Sequence, residues 1–204
     1  MTSSVHDQAF HLASEHVDAG RLAEALAILV GLLDTDLDDF GKSMACVNAA
    51  IVHDKMGQVD QALRWYDRGI ALERGLDRYF VALHKASYCI EKDRHADVLA
   101  LCTTLLASGI SDLDKANACL NAAGVCAKLG NTDDALAWYD RGINYERQHA
   151  RFTVAEHKAA YLAGKGRPKE SLMIYGRLQH EASLTEADKD RIRHNITIVK
   201  GDAR

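Results

Sequence analysis

Hydrophobic residues recur along most of this chain with the spacing of amphipathic helices. For example, Ala62, Leu63, Tyr66 and Ile70 fall on one helical face, and polar residues occupy most positions between them. Short breaks that contain glycine or polar residues separate such stretches. The 204 residues include a single proline, the residue least compatible with a helix interior. The pattern predicts a nearly all-helical protein.

The helical pattern repeats itself within the chain. A shift of 73 residues aligns positions 42–94 with 115–167, and 29 of these 53 positions are identical, including WYDRGI at 65–70 and 138–143. Each 73-residue block divides again, because a turn residue returns every 36 or 37 positions: Gly20, Gly57, Asp93, Gly130 and Gly166. Alanine always stands seven residues before that turn, where a small side chain lets two helices approach closely. The sequence therefore predicts helix–turn–helix repeats.

Five such repeats account for most of the chain, and one further helix follows them. The predicted repeats span about 5–37, 41–74, 77–109, 112–147 and 149–181. In the remaining segment, Thr185 followed by Asp188 is typical of a helix start, and Ile192, Ile196 and Val199 form one apolar stripe. We expect a capping helix over about 185–200 that covers the end of the last repeat. The whole chain, 1–204, is then a single repeat domain.

The small–turn–small pattern of these repeats resembles that of the tetratricopeptide repeat family. It is carried by Ala50, Gly57 and Ala62 with Tyr66 and Gly69, and again by Ala123, Gly130, Ala135, Tyr139 and Gly142. The resemblance covers about residues 5–181, although these repeats are two or three residues longer than the usual 34. It implies an all-α fold: a right-handed α-solenoid of five helix–turn–helix repeats plus a C-terminal capping helix.

Histidine and asparagine alternate nine residues before each turn. These five residues, which we call the ladder, are His11, Asn48, His84, Asn121 and His157. In the tetratricopeptide family this position lies on the first helix of each repeat and points into a concave groove. The ladder is therefore a candidate peptide-binding surface, since amide and imidazolium groups both donate hydrogen bonds to carboxylates. The alternative is that the asparagines only form hydrogen bonds between helices.

The order of the ladder matches part of a known arrangement in the family. In members that hold a terminal carboxylate, an asparagine in one repeat and a cation at the same place in the next form a clamp. Asn48 and His84 have that order, but Phe10, Ser14 and Phe80 stand where the clamp requires further cations. The resemblance to the clamp is therefore incomplete, and it does not identify a chaperone-binding protein.

Four lysines lie close to the ladder in the sequence. Lys85 and Lys158 directly follow ladder histidines, so a shift of the frame by one residue would point them into the groove. Lys55 and Lys128 lie two residues before a turn. They either add positive charge to the groove or only complement the helix dipole. All four are included among the candidate binding residues.

Composition excludes several other classes of protein. The net charge of −4 provides no general attraction for nucleic acid, and no run of 18 apolar residues indicates membrane insertion. The N-terminal ten residues lack the pattern of a secretory signal, and five cysteines without a C-x-x-C motif favour buried, reduced thiols. We therefore expect a cytoplasmic protein.

No pattern in the sequence indicates catalysis or a cofactor. Asp34, Asp36 and Asp38 begin like a calcium-binding loop, but Asp39 and Ala45 stand where that loop needs glycine and glutamate. No phosphate-binding loop, nucleophile elbow or zinc motif is present. The prediction is therefore no enzyme, no cofactor and no metal.

The sequence thus predicts a non-catalytic protein–protein interaction module. Its groove would bind a peptide segment of another protein, with acidic and C-terminal segments as candidates, and Val47, Leu83 and Leu120 would add apolar contacts beside the ladder. The alternative is a structural scaffold that self-associates through the ends of its repeat array.

Overall fold

The computed structural model describes residues 5–73 and 79–202, and these contain eleven α-helices and no β-strand. In chain order the helices are α1 Val5–Asp18, α2 Leu22–Leu32, α3 Asp39–Lys55, α4 Val59–Glu73, α5 Phe80–Glu91, α6 His95–Leu106, α7 Asp112–Lys128, α8 Thr132–Glu146, α9 Thr153–Gly164, α10 Pro168–Leu178 and α11 Glu186–Asp202. The prediction of an all-α fold of helical repeats is confirmed.

The chain divides into two compact units, residues 1–94 and 95–204. In unit 1, α1 packs on α2, α3 on α4, and each second helix also packs on the first helix that follows it. In unit 2, the pairs α7–α8 and α9–α10 pack in the same way, and α11 packs on α10. Each unit buries its own apolar residues. The prediction of one continuous domain stays a prediction.

The predicted turns adopt the left-handed backbone conformation. The φ angles are positive at all five turn residues, from 55° at Asp93 to 79° at Gly130. At glycine this conformation costs little because no Cβ atom collides with the backbone. The alanines seven residues before the turns, Ala13, Ala50, Ala86, Ala123 and Ala159, are all buried, as close helix packing requires.

A glycine in each 73-residue block lets three helices meet closely. A Cβ atom built on Gly142 of α8 would lie 2.9 Å from Val154 Cγ1 of α9 and 3.0 Å from Cys119 Cβ of α7. Gly69 has the same surroundings in the first block, where the nearest atoms belong to Val81 and Cys46. The two glycines are therefore required by the space between helices.

A buried glutamate in each block holds the start of the next helix. Glu73 Oε2 accepts a hydrogen bond of 2.9 Å from the backbone N–H of Val81, and Glu146 Oε2 accepts one of 2.9 Å from Val154. The first N–H groups of a helix have no partner within the helix, so a carboxylate there satisfies them and complements the helix dipole. Burial raises the pKa of Glu146, although hydrogen bonds from Val154 and Thr153 oppose this effect.

We expect the stability of the protein to depend on pH through Glu146. Because burial raises its pKa in the folded protein, the folded state binds a proton more readily than the unfolded chain does. The corresponding stabilisation is complete below the ordinary glutamate pKa of 4.5 and is lost as the pH rises through the raised value. The stability of wild type relative to Glu146→Gln, measured by urea unfolding, should therefore decrease as pH rises from about 4 to 7. A constant difference would indicate that the carboxylate stays ionised throughout.

The last helix begins as its sequence predicts. The Thr185 hydroxyl accepts a hydrogen bond of 3.2 Å from the Asp188 N–H, and Asp188 Oδ2 accepts one of 3.3 Å from the Thr185 N–H. Ile192 and Val199 are buried against the end of unit 2. Arg191 donates hydrogen bonds of 2.8 and 3.1 Å to Glu156 of α9. These bonds hold α11 beside α9, the first helix of the fifth repeat.

Candidate functional site

The ladder residues alternate in exposure as they alternate in type. His11, His84 and His157 are exposed, whereas Asn48 and Asn121 are half-buried. All five lie on first helices, namely α1, α3, α5, α7 and α9. Asn48 and His84 therefore lie in unit 1, and Asn121 and His157 lie in unit 2.

The two ladder asparagines leave their amide groups available. Among residues 5–73 and 79–202, no side-chain hydrogen bond joins Asn48 or Asn121 to another residue. His84 contacts the ring of Phe80, one turn earlier on α5, with 4.4 Å between the ring centroids. These amides are free to bind another molecule.

Asn48 lies in the wall of an apolar cavity in unit 1. The cavity has a volume of about 240 Å³ and lies between the first helices α1 and α3, with one residue of α2. Its lining residues are Phe10, Ala13, Ser14, Val17, Leu29, Asn48, Ile51 and Val52. Ile51 lies at the edge of the cavity and is 40% exposed. The second block has no equivalent side chain, because the residue 73 positions later is Gly124. The arrangement combines an apolar surface with one free amide.

The lysines that follow ladder histidines form ion pairs with aspartates and not with ladder residues. Lys85 Nζ lies 2.5 Å from Asp67 Oδ1 on α4, and Lys158 Nζ lies 2.5 Å from Asp140 Oδ1 on α8. Both pairs therefore connect a first helix to the preceding second helix. Lys55 and Lys128 are exposed in the last turns of α3 and α7.

The two blocks differ around a tyrosine that lies four residues after His84 in one block and after His157 in the other. In unit 1, the Tyr88 hydroxyl donates to Asp54 Oδ1 at 3.0 Å, and Lys92 Nζ lies 2.7 Å from the same oxygen. Burial disfavours the charged form of Asp54, but the hydrogen bonds from Lys92 and Tyr88 outweigh it and lower its pKa. In unit 2, Ala127 replaces this aspartate and the Tyr161 hydroxyl contacts Thr132 at 3.2 Å.

The cysteines provide no reactive nucleophile. All five are buried, and none of them forms a disulfide. Burial raises the pKa of Cys46 and Cys119 to about 11 and that of Cys102 to about 12. Only the thiolate reacts readily with electrophiles, so these groups are unreactive at neutral pH.

We therefore expect a disulfide reagent such as DTNB to label the folded protein far more slowly than the unfolded protein. At about pH 8 an exposed thiol is partly ionised, whereas the buried thiols should react only after the helices open. The measurement compares labelling in buffer with labelling in concentrated guanidinium chloride, where all five thiols should titrate. Rapid labelling of even one thiol in buffer would contradict this picture.

A sixth position of the same kind was not predicted from the sequence. His194 follows His157 by 37 residues, the interval that separates other ladder residues, and it is exposed on α11. Helix α11 thus continues the register of the first helices and has no second helix of its own within the described residues. The interval of 37 residues is the signal that could have identified it, whereas the apolar stripe of this helix indicates only a cap.

Two segments of the chain match a model of the tetratricopeptide repeat, residues 45–78 and 118–151. These two segments are tetratricopeptide repeats. The two matched segments start 73 residues apart, in agreement with the duplicated blocks. Each contains a ladder asparagine and the glycine of its turn.

Solved structures with tetratricopeptide-like folds resemble the chain over nearly its full length. A crystal structure of MamA is 13% identical, with a TM-score of 0.56, over 94% of this chain and 99% of that chain. PilW, a type IV pilus biogenesis factor, is 18% identical, with a TM-score of 0.56, over 99% and 89%. A tetratricopeptide repeat protein from Parabacteroides merdae is 16% identical, with a TM-score of 0.58, over 97% and 74%.

These similarities concern the fold alone, because the sequence identities are low. No curated protein sequence matches the chain. None of the helices in the described residues has the length and apolar character needed to cross a membrane.

Proposed function

We propose that the chain is a protein–protein interaction module that binds a peptide segment along its first helices. Tetratricopeptide repeats in general mediate contacts between proteins, and the repeat match and the structural neighbours support this role. The observation that carries the finer proposal is the cavity at Asn48. It offers apolar surface from Phe10, Val17 and Ile51 beside an amide that has no partner among the described residues.

Such a cavity suits an extended peptide that inserts one apolar side chain. Burial of that side chain provides affinity, and the Asn48 amide can donate to a backbone carbonyl or a carboxylate and accept from a backbone N–H. The exposed ladder histidines provide further polar groups on neighbouring first helices. The proposal does not require a free carboxylate at the end of the peptide.

Peptide selection tests this proposal and needs no candidate partner. Random peptides displayed on phage are selected on the wild-type protein and counter-selected on a double variant, Asn48→Ala/Ile51→Asp. We expect the selected peptides to bind the double variant at least about tenfold more weakly, because a charge replaces apolar surface. Asn48→Ala alone should weaken binding by about 2- to 10-fold, the effect of one hydrogen bond.

Leu129→Asp provides the matched control, since it adds the same charge at an exposed leucine of unit 2 that does not line the cavity. It should leave the affinity unchanged. Selected peptides that bind the double variant as tightly as the wild type would contradict the proposed site.

A second candidate function is self-association. Val5 and Leu12 expose large apolar side chains on α1, and such side chains favour contacts between chains when they lie together. Light scattering over a range of protein concentrations distinguishes this candidate. A constant monomer mass would count against it.

A further inference from the structure

A second cavity, in unit 2, lies away from the ladder residues, between the second helices α8 and α10 and the first helix α9. It has a volume of about 270 Å³ and is formed by α8, the turn that follows it, α9 and α10. Ile143, Phe152, Ile174 and Leu178 supply apolar side chains to its wall. This cavity contains no ladder residue and is separate from the cavity at Asn48.

Three of the seven charged residues that line this cavity are arginines. Arg147, Arg151 and Arg177 line it and are exposed. Among the described residues, no ion pair or side-chain hydrogen bond engages any of these three guanidinium groups. The lining carries four cationic and three acidic side chains, a formal excess of one positive charge in a chain whose net charge is −4.

The acidic residues of the cavity are mostly occupied. Asp140 pairs with Lys158 at 2.5 Å, and Glu146 is buried with its carboxylate bound to the N–H groups that begin α9. Arg151 acts on Glu146 electrostatically without an ion pair. Asp140 and Glu181 are both exposed, and Glu181 is the one lining acid whose carboxylate has no partner among the described residues. The three arginines therefore have an excess of positive charge to offer a ligand.

A second depression adjoins the cavity and shares residues with it. It has a volume of about 200 Å³ and is lined by Leu162, Glu170 and Met173, together with Lys158, Ile174 and Arg177 from the first cavity. Met173 is 60% exposed, and Glu170 is held by two hydrogen bonds from Arg167. Arg177 thus stands between two apolar depressions.

Arg177 is not shared between the two copies of the repeated pattern. The ion pair between Lys158 and Asp140 has an equivalent in unit 1, where Lys85 pairs with Asp67. The residue 73 positions before Arg177 is Thr104. The arginine is therefore not needed for the packing that the blocks share.

We propose that these two depressions form a docking site for an acidic segment of a partner protein, which inserts apolar side chains on either side of Arg177. Arginine forms bidentate hydrogen bonds with carboxylates, and arginine and exposed methionine are both frequent at the centre of binding surfaces. The charge of the site selects acidic over neutral segments, and the apolar depressions select segments with large side chains. This site is additional to the peptide groove proposed above and does not depend on it.

Fluorescence polarisation tests the site with defined probes. The first probe is a labelled heptapeptide, Asp-Phe-Asp-Leu-Asp-Phe-Asp, and the second replaces every aspartate with asparagine. In about 0.15 M salt, where distant surface charges are largely screened, the acidic peptide should bind the full chain at least about tenfold more tightly than the neutral one. A third peptide, with glycine in place of phenylalanine and leucine, should bind as weakly as the neutral one.

Variants then assign the binding to this surface. Arg177→Thr, which installs the residue of the other block, should weaken binding of the acidic peptide at least about tenfold, and Arg177→Glu should abolish it. Arg64→Thr makes the same charge change at an exposed arginine of α4 in unit 1 and should have no effect. Asn48→Ala should also have no effect, which separates this site from the proposed groove.

Two results would overturn the proposal. One is the absence of binding by the acidic peptide up to about 1 mM, a concentration at which even a weak specific complex is populated. The other is an equal loss of binding in Arg177→Thr and Arg64→Thr, which would mean general attraction between charges.

Discussion

Replacing Gly142 with alanine should lower the free energy of unfolding of unit 2 by up to about 2 kcal/mol, because overpacking a well-packed interior usually costs about 1–3 kcal/mol. The added methyl group would lie 2.9 Å from Val154 Cγ1 and 3.0 Å from Cys119 Cβ. Neither neighbour is the end of a flexible side chain, so helices must shift to make room. This cost exceeds the gain of about 1 kcal/mol in helix propensity from glycine to alanine.

Gly124→Ala is the matched control for this change. Gly124 lies on α7 of the same unit and is exposed, and apart from its neighbours in the chain and the backbone of its own helix no atom lies within 4 Å of the position of a Cβ atom. Alanine there should raise the free energy of unfolding by up to about 1 kcal/mol. The two substitutions are thus chemically identical, but they should change the free energy of unfolding in opposite directions.

The two tryptophans allow each unit to be followed separately during urea unfolding. Trp65 lies on α4 in unit 1 and Trp138 on α8 in unit 2, so a Trp65→Phe background reports unit 2 alone. In this background Gly142→Ala should lower the midpoint and Gly124→Ala should raise it. A rise in midpoint for both variants would show that the space at Gly142 is not restricted.

Replacing Glu146 with alanine should cost about 2–3 kcal/mol, because it leaves buried N–H groups at the start of α9 without an acceptor. The carboxylate accepts from Val154 at 2.9 Å and also from Thr153. Glu73→Ala should have a similar effect in unit 1, since Val81 occupies the same place.

Glu181→Ala is the control for the glutamate substitutions. Glu181 is exposed, and its replacement should change the free energy of unfolding by less than about 0.5 kcal/mol. Urea unfolding followed by tryptophan fluorescence measures both variants under the same conditions. Equal effects of Glu146→Ala and Glu181→Ala would refute the capping role.

The features predicted correctly from the sequence depend on local pattern. Turn glycines, buried alanines and the Thr185–Asp188 helix start follow from residues within a few positions of one another, and the 73-residue duplication places them in register. Sequence alone could not supply the distances between helices. The bonds from Glu146 to α9 and from Lys158 to Asp140 join residues on different helices, and they became visible only in the folded chain.

The ladder of candidate binding residues was predicted from the sequence, and its role in binding stays a prediction. The ladder positions were identified by their interval, but nothing in the sequence separates half-buried Asn48 from exposed His84. The cavity at Asn48 depends on how α1 approaches α3, and the arginine-lined cavity depends on three helices together. Neither property is encoded in a short motif.

The glycine and glutamate of each block together form a packing site for the first residues of the helix that follows. Gly69 and Glu73 receive Val81 in one block, and Gly142 and Glu146 receive Val154 in the next. If a copy of the block were inserted at such a junction, its own valine would occupy the existing packing site. The glycine and glutamate of the copy would form a new packing site of the same kind for the next helix. The block is therefore a unit of growth, and a longer array can arise by duplication without new packing having to evolve.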